Sequence, residues 1–177
     1  MIRKSLVFAL LLVTIPASSN GDGSKIPAEI RSLIPPEIVN FYLSLTPEDK
    51  AVIKAIALKA KDFKTEQDVI DFCKEKSEPL FNRAKALYGA LVAKVDALGS
   101  EARSFVAKTV DAVRLLRAGG KNPNINEVKE VALHAVNGYL ALSKEAKDEF
   151  DGQFPQIATY FGDEENVKQA RMILRTD

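Results

Sequence analysis

The sequence predicts an all-α protein: a compact single domain of about eight to ten amphipathic helices joined by short connections. Three observations carry that prediction. Apolar residues recur at three-four spacing along almost the whole chain. Helix-start signals stand where those stripes begin, and glycine or proline stands where they end. No segment shows strand alternation flanked by turn residues.

The elements follow in order. Arg3 and Lys4 precede an apolar run, LVFALLLVTI (6–15), that is too short to span a bilayer, and Pro16-Ala17-Ser18-Ser19 has the small-residue texture of a cleavage site. Residues 1–19 therefore read as a secretory signal peptide and not as an anchor. Residues 20–25 (NGDGSK) read as a flexible leader. The helical domain is then expected over 26–177.

Ile26 to Ile34 is a short amphipathic stretch, ended by Pro35-Pro36. From Glu37 to Leu45, one face collects Ile38, Phe41, Tyr42 and Leu45. Thr46-Pro47-Glu48-Asp49 is a helix start: a hydroxyl cap, a proline at the first helical position and acids in the first turn. The helix that follows aligns Val52, Ile53, Ile56, Ala60 and Phe63. Thr65 opens a helix over 66–76, and Ser77 starts the longest one, to about Leu98. Gly99 stops it, and Ser100 is expected to cap a helix running to Ala118. The near-heptad stripes of these two helices predict an antiparallel, coiled-coil-like hairpin.

GGKNP (119–123) is a loop. Asn124 and Glu127 fit a capping box for a helix to about Leu142. Ser143 caps another helix, broken near Gly152 and Pro155. Phe154, Ile157, Ala158 and Phe161 mark a short segment, and Asp163 caps the last helix.

Composition excludes more than it selects. The chain has 177 residues, with 25 basic against 24 acidic groups, one cysteine, one histidine and no tryptophan. Near-neutral charge gives no footprint for nucleic acid and no basic cluster suited to an anionic membrane. Cys73 lies beside Val69, Ile70 and Phe72 and reads as a buried thiol. His134 lies opposite its helix's apolar stripe, near Glu127, Glu130 and Asn137, and reads as a surface residue. One Cys and one His supply neither a usual zinc site nor a nucleophile-base pair of the expected kind. No catalytic residues, metal site or cofactor are expected, and no Asn-X-Ser/Thr sequon occurs. The stripes contain many small residues, among them Ala84, Ala102, Ala132, Ala135 and Ala158. These either let backbones approach closely or leave space unfilled, and periodicity cannot tell a filled core from a hollow one.

Three stretches are more specific. IPPEIVNFYLSLTPEDKAVIKAIA (34–57), AKALYGALVAKVDALGSEARSFVAKTVDAVRLL (84–116) and LALSKEAKDEFDGQFPQIATYF (140–161) resemble, in order, segments of the nematode fatty acid- and retinol-binding proteins. The resemblance implies a secreted, disulfide-free helical carrier that holds long-chain fatty acids and retinol in an internal apolar cavity. It implies no metal and no enzymatic activity. Transient membrane contact stays open as a further partnership. The family is also described as carrying a casein-kinase-type site, whose pattern Thr46-x-x-Asp49 matches; the same residues make a helix cap.

Under that resemblance, the candidate ligand-lining residues are inward positions on the long helical pair and the helix after it: Leu87, Tyr88, Leu91, Val95, Phe105, Val106, Val110, Val113, Val136 and Tyr139. For each, plain core packing is the alternative. Arg117 continues the stripe of Val106, Val110 and Val113 and is a candidate partner for a fatty-acid carboxylate; snorkelling toward the helix C-terminus is the other reading. The rival function is a secreted helical interaction protein with a filled core and no lipid cargo.

Overall fold

In the computed structural model, residues 34–59, 62–116 and 123–174 are described. They form nine α-helices and no strand: α1 Pro36–Leu43, α2 Pro47–Leu58, α3 Glu66–Lys76, α4 Glu78–Asp96, α5 Ser100–Leu116, α6 Ile125–Leu140, α7 Lys144–Gln153, α8 Pro155–Phe161 and α9 Glu164–Leu174. The expected signal peptide, leader and first amphipathic stretch lie outside the described residues, as do Arg117 and most of the GGKNP loop.

Most helix starts are made by the residues that the sequence marks. At α2, Thr46 Oγ1 accepts from the Asp49 N–H (3.2 Å) and Asp49 Oδ2 accepts from the Thr46 N–H (2.9 Å). The same reciprocal box forms between Thr65 and Asp68 at α3 and between Asn124 and Glu127 at α6. Ser77 Oγ accepts from the Leu80 N–H, and Ser143 Oγ from the Ala146 N–H. Asp163 Oδ1 accepts from the N–H groups of Glu165 and Asn166. Each cap satisfies donors that a helix leaves orphaned.

The start of α5 differs from expectation. Ser100 is its first helical residue and not its cap. Gly99 takes the cap position: its carbonyl accepts from the Arg103 N–H (2.9 Å), and its own N–H donates to Glu149 Oε2 (2.9 Å). A Cβ at residue 99 would lie 2.5 Å from that carboxylate, so the glycine lets the acid reach the backbone. Likewise α7 runs through Gly152 and stops only at Phe154, where Pro155 starts α8.

The helices gather into two compact units. The first takes Glu37–Leu91; the second takes Val92–Leu116 and the chain from Pro123 onward. In the first, α2 pairs with α3. Its buried apolar side chains are Ile38, Phe41, Leu45, Ile53, Ile56, Val69, Cys73, Leu80, Ala84 and Leu87. The Phe63 and Phe72 rings meet at 5.6 Å, with the Lys59 ammonium 5.0 Å from the Phe72 centroid. Asp49 is buried and ion-paired with Arg83 of α4, whose Nη1 also donates to the Ser44 carbonyl (3.3 Å).

In the second unit, α6 packs on α5 and α9, α7 on α5 and α8, and α8 on α9. The expected α4–α5 hairpin is not the local packing unit: residues 78–91 of α4 belong to the first unit, whereas α5 builds on α6 and α7. The reason is that heptad-like spacing fixes which face a helix buries and leaves the partner undetermined. The fully buried Ala102 and the buried Ala132 lie on the closely paired α5 and α6, so at these positions small residues serve close approach. Gly138 acts similarly, since a Cβ there would come 3.0 Å from the Phe105 ring. Two polar clips fix α5 to the α7 region. Glu149 takes the Gly99 N–H, and Glu101 accepts from both the N–H (2.9 Å) and the hydroxyl (2.6 Å) of Ser143.

Candidate functional site

The second unit divides the candidate residues into two groups. Val136 and Tyr139 of α6 belong to a packed core with Leu98, Ala102, Phe150, Phe154, Ile157 and Phe161. Val136 has no exposed surface at all, so nothing reaches it unless its neighbours move. The Tyr139 ring stacks on Phe161 at 4.3 Å and meets Phe150 edge-on at 5.5 Å. Phe105 joins the same aromatic group, 5.5 Å from Phe150 and 6.5 Å from Tyr139. Such offset and edge-to-face pairs favour one fixed arrangement. Val95 and Val106 pack against this core while half-buried.

The Tyr139 hydroxyl donates to Asp151 Oδ1 (2.8 Å). Burial first, then this hydrogen bond and the charges of Asp151 and Asp148, push the phenol well above its ordinary titration range. It stays a neutral donor. The Lys147 ammonium lies 5.8 Å from the Tyr139 ring centroid and donates to the Leu140 carbonyl (2.9 Å) at the end of α6.

Val110 and Val113 form the second group. They extend the stripe of Phe105 and Val106 along α5, are half-buried, and are not part of the packed core. Leu116, the last residue of α5, is half-buried too. Only Ala102 is buried outright along the 17 residues of α5. The one hydroxyl among these turns is neutralised within the helix: Thr109 Oγ1 donates to the Phe105 carbonyl (3.0 Å). The result is a run of apolar side chains that stay partly accessible, with no polar group turned out among them.

On the first unit, Leu87 is buried, and Tyr88 and Leu91 of α4 are half-buried. Arg117 follows α5 and lies outside the described residues. The sequence marks Phe154 and Phe161 as part of an apolar segment, but it does not connect them, or Phe150, with the candidate residues of α6. Phe150, Phe154 and Phe161 are core partners of Tyr139. Their signal was present in the four-residue step from Phe150 to Phe154 and in the stripe that Phe154 continues through Ile157.

The reactive groups are placed as expected. Cys73 has no exposed surface, and burial, with the nearby charge of Asp49, pushes its thiol up, away from the nucleophilic thiolate. His134 is exposed. Among the described residues, no group of three or more His, Cys, Asp or Glu is arranged to hold a metal ion. No described helix is long and apolar enough to cross a membrane.

Comparison with known proteins gives a concordant set. Residues 28–173 match a family model described as nematode fatty acid retinoid binding protein (Gp-FAR-1). Fatty-acid and retinol-binding protein 1 of Caenorhabditis elegans is 39% identical over 142 residues, 78% of this chain and 78% of that protein. The Brugia pahangi protein of the same name is 34% identical over 176 residues, covering 99% of this chain and 97% of its own. Among solved structures, the Fatty Acid and Retinol binding protein Na-FAR-1 from Necator americanus superposes with a TM-score of 0.68 at 30% identity, over 83% of this chain and 96% of that one.

Proposed function

The chain belongs to the nematode fatty acid retinoid binding protein family, and on that premise we propose that it is a secreted carrier of long-chain fatty acids and retinol. The reading assigns it sequestration and transport, without catalysis. The family is one of binding proteins, and its relatives are named for these two ligands. Secretion rests on the sequence of residues 1–19, whose short apolar run and small-residue end suit export.

The observation in the structure that carries the reading is the α5 stripe. Phe105, Val106, Val110, Val113 and Leu116 remain half-buried along one face of this amphipathic helix. A carrier needs apolar side chains that are shielded from bulk water and still available to a ligand. An interaction protein with a filled core has no need of them. We assign Val106, Val110 and Val113 to the lining of an internal apolar cavity in the second unit, with Val95 as a further candidate. Phe105, Val136 and Tyr139 then set its floor by fixing the aromatic core behind. Burial of an alkyl chain there contributes about 0.8 kcal/mol per methylene.

The test is a titration of the lipid-free protein with a fluorophore-labelled fatty acid. Transfer of the probe to a dry site shifts its emission to the blue and raises its intensity. Oleate and retinol are both expected to reverse the change. If the probe's emission never responds to folded, lipid-free protein, the filled-core interaction protein is the better account.

A further inference from the structure

Helix α5 is tied down at its start by its neighbours. In the capping boxes of α2, α3 and α6, the acid at the third helical position caps its own helix. At α5 and α7 that position holds a buried alanine, Ala102 or Ala146, where a carboxylate cannot sit without a large desolvation cost. Each of these two helices takes its acid from the other. Glu149 accepts from the Gly99 N–H, and Glu101 accepts from the Ser143 N–H and hydroxyl. Arg103 adds a third tie, donating from Nη2 to the Asp96 (2.7 Å) and Leu98 (2.8 Å) carbonyls at the end of α4. Packing agrees with the polar ties: Ala102 lies in the core, and Phe105 and Val106 pack against it.

Beyond Val106 the helix changes character. None of residues 107–116 is buried, and among the described residues none of these packs against that core. Thr109 stands at the junction. Its hydroxyl turns back onto the Phe105 carbonyl, four residues before it (3.0 Å). Such a back-bond adds a second donor to a carbonyl of the helix ladder, which weakens that turn and favours bending there. Thr159 of α8 makes the same bond to the Pro155 carbonyl (2.8 Å), but Ile157 and Phe161 are buried on either side of it. In α5 only one side of the weak turn is held, and the other side carries Val110, Val113 and Leu116.

We propose that Thr109 is the hinge of α5: the helix bends at the turn from Phe105 to Thr109, and residues 110–116 swing outward to admit and release the ligand. The inference rests on the carrier reading for its purpose. A dry site lined by Val106, Val110 and Val113 must open for an alkyl chain to enter, and the least-held part of its wall opens most readily. Thr109 then sets how often the site opens, and the valines set how tightly it holds.

Stopped-flow exchange of a fluorophore-labelled fatty acid, with its affinity measured in parallel, tests the hinge. Alanine removes the back-bond and favours the helix. Thr109→Ala should therefore slow association and dissociation together by about threefold, with the dissociation constant unchanged. Thr109→Val removes the hydroxyl at similar helix propensity and should slow both rates as well. Thr109→Ser keeps the hydroxyl and should exchange like wild type, as should Thr159→Val on α8. Wild-type rates in Thr109→Ala and Thr109→Val overturn the proposal. So does a changed dissociation constant, which would make Thr109 a lining residue. Circular dichroism checks the fold of each variant; if valine is not accommodated, alanine against serine decides. Amide hydrogen exchange of the lipid-free protein needs no ligand. A hinge gives a step in rate at Thr109, with residues 110–116 exchanging together and more slowly in Thr109→Ala. A gradual rise toward the helix end is simple fraying and removes the hinge. Should the protein bind no fatty acid, the carrier reading fails, and the amide profile alone decides whether α5 bends at Thr109.

Discussion

Asp49 accepts from the Thr46 N–H and from Arg83 while almost none of its surface meets water. Burial alone would raise its pKa; the Arg83 hydrogen bond, the Thr46 backbone N–H and the Arg83 charge together hold it below the ordinary 3.8. A depressed carboxylate pKa contributes stability above the unfolded value, and that contribution is lost as pH falls through the folded one. Arg83 is partly exposed, which screens the pair, so Arg83→Met should cost about 2 kcal/mol at neutral pH. The difference from wild type should shrink below about pH 4 as Asp49 protonates in the variant. Urea midpoints at pH 7 and pH 3 measure this; an equal difference at both would show that the charge of Asp49 is not involved. Thr46→Ala removes only the cap and should cost about 1 kcal/mol with fatty-acid affinity unchanged. An unaltered midpoint with altered binding would favour the modification reading of Thr46 instead. Only half of this site was legible in the sequence. The cap lies within four residues and shows as a pattern, whereas Arg83 is 34 positions away and nothing local announces it.

At the scale of elements, periodicity located helices well and packing poorly. It marked α5 and α6 as apolar on one face, but it could not say that Val136 meets a filled core while Val110 and Val113 do not. Facing direction is a local property; whether that direction is filled depends on Phe150, Phe154 and Phe161, which arrive from α7 and α8. The same gap explains why α5 builds on α6 and α7, and the unexpected hold of Glu149 on Gly99. The two groups of residues should therefore respond oppositely to substitution. Val136→Ala leaves a void in a closed core and should destabilise by about 2 kcal/mol with little direct effect on binding by the remaining folded protein. Val110→Asn, on a half-buried stripe, should cost less stability and weaken oleate and retinol alike. Denaturation midpoints and probe displacement, measured on both variants, separate the roles. If Val136→Ala is the one that weakens binding at full folding, the lining has been placed on the wrong helix.

On the whole molecule, the carrier function predicts a link between ligand and stability. A ligand that binds only the folded chain raises stability by about 2.7 kcal/mol when present at 100 times its dissociation constant. Oleate should therefore raise the melting temperature in proportion to the logarithm of its free concentration. Dodecanoate, with fewer methylenes to bury, should need a much higher concentration for the same shift. Head group enters separately. Arg117 continues the apolar stripe of α5 in the sequence, and pairing with a carboxylate would favour fatty acids over retinol. Arg117→Leu distinguishes the two contributions in one experiment: loss of the oleate shift with retention of the retinol shift assigns Arg117 to the carboxylate. Retention of both leaves burial as the whole driving force, and the ranking of ligands should then follow apolar area alone. A melting temperature that ignores oleate and retinol at every concentration would refute the carrier, because no ligand can bind the folded state selectively without stabilising it.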